Sequence, residues 1–217
     1  MSGATLTLSS KNYSSWSLRG WLLCKMAGLG FEEEPIPADC PSNRAELLLL
    51  SPSVTVPRLT HNGVSVWDTL AIAEYLAEIK PKAGLLPKDI GDRATCRAIS
   101  GEMHSGFQNL RSALPMNIKG HFPGFKIFAG AEPDIARIRE IWRTQLQASG
   151  GPFLFGKATM ADAMFAPVAS RFTTYDVPLE PICEEYREHI MKWAPMKEWI
   201  AAAQEEPEEI QELEVEF

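Results

Sequence analysis

The chain has 217 residues, 45% of them hydrophobic and 23% charged, with 21 basic against 28 acidic side chains. That length allows one large domain or two small ones, and a chain of this size removes roughly 70% of its unfolded surface from water without needing a staple. The net charge of −7 argues against nucleic acid, whose binders present basic surface. No apolar run reaches the roughly 18 residues of a membrane span, and Met1 to Ser17 lacks the basic start and apolar core of a secretion signal. A soluble, cytoplasmic protein without a membrane partner is expected.

The first eighty residues alternate short strands and helices. Thr5, Leu6, Thr7 and Leu8 predict a strand ending at Ser9 and Ser10, and the polar loop Lys11-Asn12-Tyr13 leads to Ser14 and Ser15, both good helix N-caps. Trp16, Leu18, Trp21, Leu22, Leu23 and Met26 form the apolar face of a buried helix that Gly28 and Gly30 end. Phe31 to Pro37 reads as a strand and Asn43 to Leu50 as a short helix. Val56 to Thr60 and Val64 to Trp67 flank Asn62-Gly63, the strongest short hairpin signal. Thr69 to Leu76 follows with helical spacing, giving the order βαβαββα.

Lys80 to Pro87 reads as a linker. After it the pattern is helical, over roughly 91–115, 132–148, 160–175, 183–193 and 196–205. The expected architecture is an α/β domain over 1–80 followed by an all-helical domain over 88–217. The acidic run Glu205 to Glu216 reads as a solvated tail. Cys24, Cys40, Cys96 and Cys183 are scattered, with no CxxC pair and no histidine at zinc-ligand spacing, so reduced, mostly buried thiols and no metal are expected.

Three local features could converge on one ligand. Ser14 and Ser15 open a helix, whose unpaired N–H groups and dipole stabilise an anion, and a serine hydroxyl there can donate to a thiolate; the alternative is that both only cap the helix. Val56-Pro57 opens a strand with a residue that lacks an N–H; a cis bond would let Val56 present its backbone to a peptide-like ligand, and a trans proline opening an edge strand is the alternative. Trp67-Asp68-Thr69 precedes a helix, where Asp68 or Thr69 caps it or where Thr69 takes a carboxylate and Asp68 an ammonium group.

Together these residues resemble the glutathione transferases, with a thioredoxin-like first half and a helical second half, and within them the zeta class. Ser14-Ser15-Trp16-Ser17-Leu18-Arg19 resembles that class's Ser-Ser-x-Ser-x-Arg helix start, Val56-Pro57-Arg58-Leu59 its VPxL segment with a cis proline, and Asp68 to Leu76 its acidic/Gln-Ser-Leu-Ala-Ile-x-Glu-Tyr-Leu signature. Leu85 to Asp89 and Arg93-Ala94-x-x-Arg97 continue the likeness across the linker. Phe153 to Gly156 and Thr159-Met160-Ala161-Asp162 resemble the G-x-x-x-[ST]-x-A-D box, a structural helix cap. The likeness runs from about residue 6 to 172.

The resemblance implies glutathione as co-substrate and no metal, with Ser14 and Ser15 as catalytic hydroxyls. Ser15, Trp16, Val56, Pro57, Asp68 and Thr69 are then the glutathione-binding residues. The cysteinyl backbone would lie at Val56 and the γ-glutamyl end at Asp68 and Thr69. It also implies a homodimer and a role in detoxification, adding the glutathione thiolate to small electrophiles. A zeta-like cis–trans isomerase of the maleylacetoacetate or maleylpyruvate type is an alternative, and so is a non-catalytic binding protein of the same fold; a glutaredoxin-like reductase would want a cysteine where Ser14 and Ser15 stand.

The chain departs from the zeta pattern at Trp16, where that class has Cys, at Thr55, commonly Lys or Gln, and at Thr69, which replaces Ser. Arg171 lies one turn from the class's substrate-binding basic residue and reads as a surface or ion-paired arginine. His61, His104, His121 and His189 read as structural or surface residues. Ser112, Met116 and Asn117 fall where the fourth helix of such proteins faces the acceptor pocket, with Lys119 to Gly124 as a loop at its mouth.

Overall fold

The computed structural model describes residues 3–36 and 56–207. The expected helix Asn43 to Leu50, Thr55, Cys40 and the tail beyond 207 lie outside the described residues. A four-stranded sheet has the order β2-β1-β3-β4, with β1 Ala4–Leu8, β2 Glu32–Pro35, β3 Arg58–His61 and β4 Val64–Val66. β1 runs parallel to β2 and antiparallel to β3, and β3 pairs antiparallel with β4. The parallel pair needs a crossover, which α1, Ser15–Met26, supplies. Asn62 and Gly63 turn the hairpin with φ of 51° and 79°, the positive values that its two-residue turn demands. Leu6, Leu8, Leu59, Leu18 and Leu22 close the core between sheet and helix.

α2, Thr69–Ile79, follows, and a 3-10 turn at Pro81–Ala83 with Gly84 at φ 72° carries the chain across. The helical half comprises α3 Ile90–Ser105, α4 Gln108–Ala113, α5 Glu132–Ser149, α6 Met160–Thr174, α7 Pro181–Lys192 and α8 Ala194–Gln204. α6 is the axis of this half: every residue from Met160 to Phe172 is buried, against α1, α3 and α7. It begins with the expected box, in which Thr159 and Asp162 cap each other's backbone amides. Trp142 of α5 packs on it through Phe165 and Phe172, ring centroids 6.2 and 5.4 Å away.

Two sequence expectations are corrected. The helix expected over 91–115 is two helices, because Gly106 ends α3 so close to the Glu102 carbonyl that a Cβ there would sit 2.7 Å from its oxygen, and Phe107 then turns left-handed at φ 58°. The acidic tail is not solvated at its start: the Glu206 carboxylate accepts from Ser10 Oγ at 2.8 Å and from the Lys11 and Asn12 amides at 2.6 and 3.1 Å. It thereby fastens the loop between β1 and α1, and Trp199 Nε1 adds a bond to the Lys11 carbonyl at 2.9 Å.

Candidate functional site

Helical residues begin at Ser15, and the two serines at that end have separate roles. Ser14 is the N-cap: its Oγ accepts from the Ser17 amide at 3.2 Å and donates to Ser17 Oγ at 2.9 Å, while Ser17 Oγ accepts from the Ser9 amide. Its hydroxyl is therefore committed to the turn. Among the described residues no hydrogen bond engages the hydroxyl of Ser15, which stands in the first helical position with 7% of its surface exposed. One turn further on, Gly20 meets Pro57. The Val56–Pro57 bond is cis, as the resemblance implies, and a Cβ on Gly20 would lie 2.6 Å from the proline Cβ. Only glycine lets α1 approach the strand entry so closely.

The amino end of α2 supplies the next group. Asp68 caps it, Oδ1 accepting from the Leu70 amide at 2.9 Å, and Thr69 is wholly buried with its Oγ1 lacking a partner among the described residues. A buried hydroxyl without a partner costs stability, so Thr69 offers a donor to an incoming acceptor. His104, read from sequence as a structural or surface residue, bonds Asp68: its Nε2 lies 2.8 Å from Asp68 Oδ2. No local signal announces this pair, since 36 residues separate its members.

Trp16 sits where these parts meet. Its ring lies 5.2 Å from the His104 ring and carries the Arg19 and Arg111 guanidinium groups at 4.6 and 5.4 Å. Arg171 completes a trio of arginines. The expectation of a surface or ion-paired Arg171 fails: it is 3% exposed, Nε donates to the Leu114 carbonyl at 2.8 Å, and none of the three arginines makes an ion pair among the described residues. Among the described residues, Nη1 and Nη2 of Arg19 and Nη1 of Arg171 have no hydrogen-bond partner. Burial and the mutual repulsion of the trio hold Arg19 well below the ordinary arginine range and push Arg171 down to about 9. Uncompensated guanidinium groups in the interior are expensive, and an anion is what would satisfy them.

The remaining candidates differ in burial. Met116 and Asn117 are buried and Ser112 is exposed. Cys24, Cys96 and Cys183 are buried free thiols, their pKa values pushed up to about 12, 11 and 12, with burial the leading cause in each. Among the described residues no cluster of His, Cys, Asp and Glu could hold a metal, and no helix is long and apolar enough to cross a membrane.

Residues 13–79 match the model of the glutathione S-transferase N-terminal domain and residues 126–202 that of the C-terminal domain. The maleylacetoacetate isomerase of Rattus norvegicus is 30% identical over 171 residues, which cover 77% of each chain. That of Rhizobium meliloti is 28% identical over 76% of this chain and 81% of its own length. A Burkholderia glutathione transferase homologue solved with bound glutathione superposes with a TM-score of 0.70 at 21% identity, covering 93% of this chain and 98% of its own. The maleylacetoacetate isomerase of Anaeromyxobacter dehalogenans with bound glutathione gives 0.64 at 25% identity, covering 95% and 99%. With both domain models matched in order along a two-part fold of this kind, the chain belongs to the glutathione S-transferase family.

Proposed function

We propose that this protein is a glutathione transferase that adds the glutathione thiolate to small electrophiles. The α/β part, 1–80, holds the tripeptide and the helical part, 88–217, holds the electrophile. The observation that carries the reading is the unengaged Ser15 hydroxyl at the amino end of α1, beside a neighbouring serine whose own hydroxyl is committed to the cap. A thiol near pKa 8.5 is lowered by a helix amino terminus and a hydroxyl donor, so a larger fraction is thiolate at neutral pH. Glutathione would meet Trp16 and the Val56-Pro57 backbone with its middle. Its γ-glutamyl end would reach Thr69, whose buried Oγ1 lacks an acceptor, and Asp68. The nucleophile is the co-substrate itself, so no covalent bond to the protein is needed. Exposed Val64 of the edge strand β4 and Trp67 just after it, 46% and 58% accessible, support pairing with a second copy of the chain.

The arginine trio favours a second reading of the same site. Arg19 and Arg171 keep unpartnered N–H groups in the interior, which suits an electrophile bearing carboxylates. A glutathione-dependent cis–trans isomerase of a dicarboxylate would use that feature, the thiolate adding to the double bond, rotation following, and the thiolate leaving. The isomerase reading predicts activity on maleylacetone, which carries one such carboxylate, and none on an aryl halide, whereas activity on the aryl halide supports the transferase.

Retention on immobilised glutathione, followed by ultraviolet titration of the bound thiolate, tests the proposal. Ser15→Ala is expected to raise the bound thiol pKa and to lower kcat/KM about ten- to a hundredfold, the worth of one hydrogen bond to a charged group. Passage straight through the column with no calorimetric binding would overturn it.

A further inference from the structure

His104 stands outside every role assigned so far, yet it reaches across from the helical half to the amino end of α2. Its Nε2 lies 2.8 Å from Asp68 Oδ2 while Asp68 Oδ1 is held by the Leu70 amide at 2.9 Å. Each oxygen of a carboxylate accepts about two hydrogen bonds. The cap fixes Oδ1, which takes the Leu70 amide and, at 3.5 Å, the Ala71 amide, and His104 fixes Oδ2, so the carboxylate plane is pinned and one acceptor direction remains, on Oδ2. The imidazole is itself propped by Trp16, its ring centroid 5.2 Å away with a 59° tilt between planes. The contact is half-exposed, with 30% of the histidine and 47% of the aspartate side chain accessible. A carboxylate held in one orientation at a surface of this kind is ready to receive a cation.

We infer that His104 is a positioning residue for glutathione, orienting Asp68 through the Nε2–H···Oδ2 bond so that the remaining acceptor direction of Oδ2 meets the ammonium of the γ-glutamyl end. The inference rests on the glutathione reading of Asp68 and Thr69. Recognition of one end of the tripeptide by the α/β part thus depends on a side chain from α3. It also links the two halves of the site, because Trp16, which props His104, follows Ser15 directly in sequence.

Two peptides separate this role from mere packing: glutathione, and its analogue with a glutaryl group in place of the γ-glutamyl residue, which lacks only the ammonium. Calorimetry on the full chain is expected to show His104→Leu weakening glutathione about tenfold while leaving the weaker binding of the glutaryl peptide unchanged. His104→Gln, whose amide nitrogen reaches where Nε2 stood, is expected to restore most of the loss. In an Asp68→Asn background, His104→Leu should add nothing for either peptide. Equal loss for both peptides would overturn the inference in favour of packing through Trp16, and so would no loss for glutathione. If His104→Leu does not fold, the inference stands or falls on the conservative variant: His104→Gln binding glutathione like the wild type, with the Asp68→Asn protein unable to tell the two peptides apart, supports it. His104→Gln losing both peptides alike overturns it. A wild-type protein that binds neither peptide removes the glutathione reading itself, a separate and recognisable failure.

Discussion

The two ends of α6 bury opposite charges in opposite ways. At its start Asp162 is wholly buried and saturated: Oδ1 accepts from the Leu154 amide at 3.0 Å and Tyr186 Oη at 3.1 Å, and Oδ2 from the Thr159 amide at 2.8 Å and Thr159 Oγ1 at 3.1 Å. Near its end Arg171 spends one N–H on a carbonyl and leaves Nη1 without a partner, in the company of two more cations. The first arrangement is closed and has nothing left to offer a ligand. The second is open, and its unmet hydrogen bonds define what would complete it. Burial alone therefore does not make a charge a candidate for a ligand; unmet hydrogen bonds do.

Breaking the closed end has the largest expected consequence. Asp162→Ala strands four donors in the core and should cost about 3–5 kcal/mol, read as a large fall in the denaturant midpoint. The same carboxyl is pushed up to about 6 by burial, which outweighs its hydrogen bonds. Its folded-state pKa thus exceeds the ordinary value near 4, so its stabilising contribution is complete below about pH 4 and is lost as pH rises through about 6. Asp162→Asn should flatten that part of the stability–pH curve.

A smaller loss is expected where α1 meets Pro57. Gly20→Ala forces a Cβ into the 2.6 Å contact with the proline ring, and overpacking of that kind costs about 1–3 kcal/mol. Thermal unfolding should report it together with weaker retention on glutathione. At the open end the sign reverses. Arg171→Met removes an uncompensated buried charge at similar volume and is expected to leave stability unchanged or raise it by about 1–4 kcal/mol. If the second reading holds, maleate should raise the thermal midpoint of the wild type and leave that of Arg171→Met unchanged. A destabilised Arg171→Met protein would show that the trio is compensated after all.

Local chemistry decided much of this molecule in advance. The Asn62-Gly63 turn, the serines before α1, the aspartate before α2 and the Thr159–Asp162 box each act over two to four residues, and each stands in the structure where its spacing put it. The motif likeness likewise pointed to the family and to Asp68 and Thr69 as candidates. Three features stayed hidden. The break at Gly106-Phe107 was masked by helical spacing on both sides, because the reason for it is a close approach to a carbonyl rather than a change of pattern. The His104–Asp68 bond and the Glu206 strap join residues 36 and about 195 apart, beyond the reach of any periodicity.

What the chain's own order of residues determined is the set of elements, their caps and their sequence, since these depend on neighbours within one helical turn or one hairpin. Only the tertiary structure decided which serine is spent on a cap, which aspartate is saturated and which arginines keep unmet N–H groups. Those outcomes depend on who else arrives at the same place, and the packing of α6 against α1 brings Arg19 Nε to the Met164 carbonyl at 2.8 Å from 145 residues away.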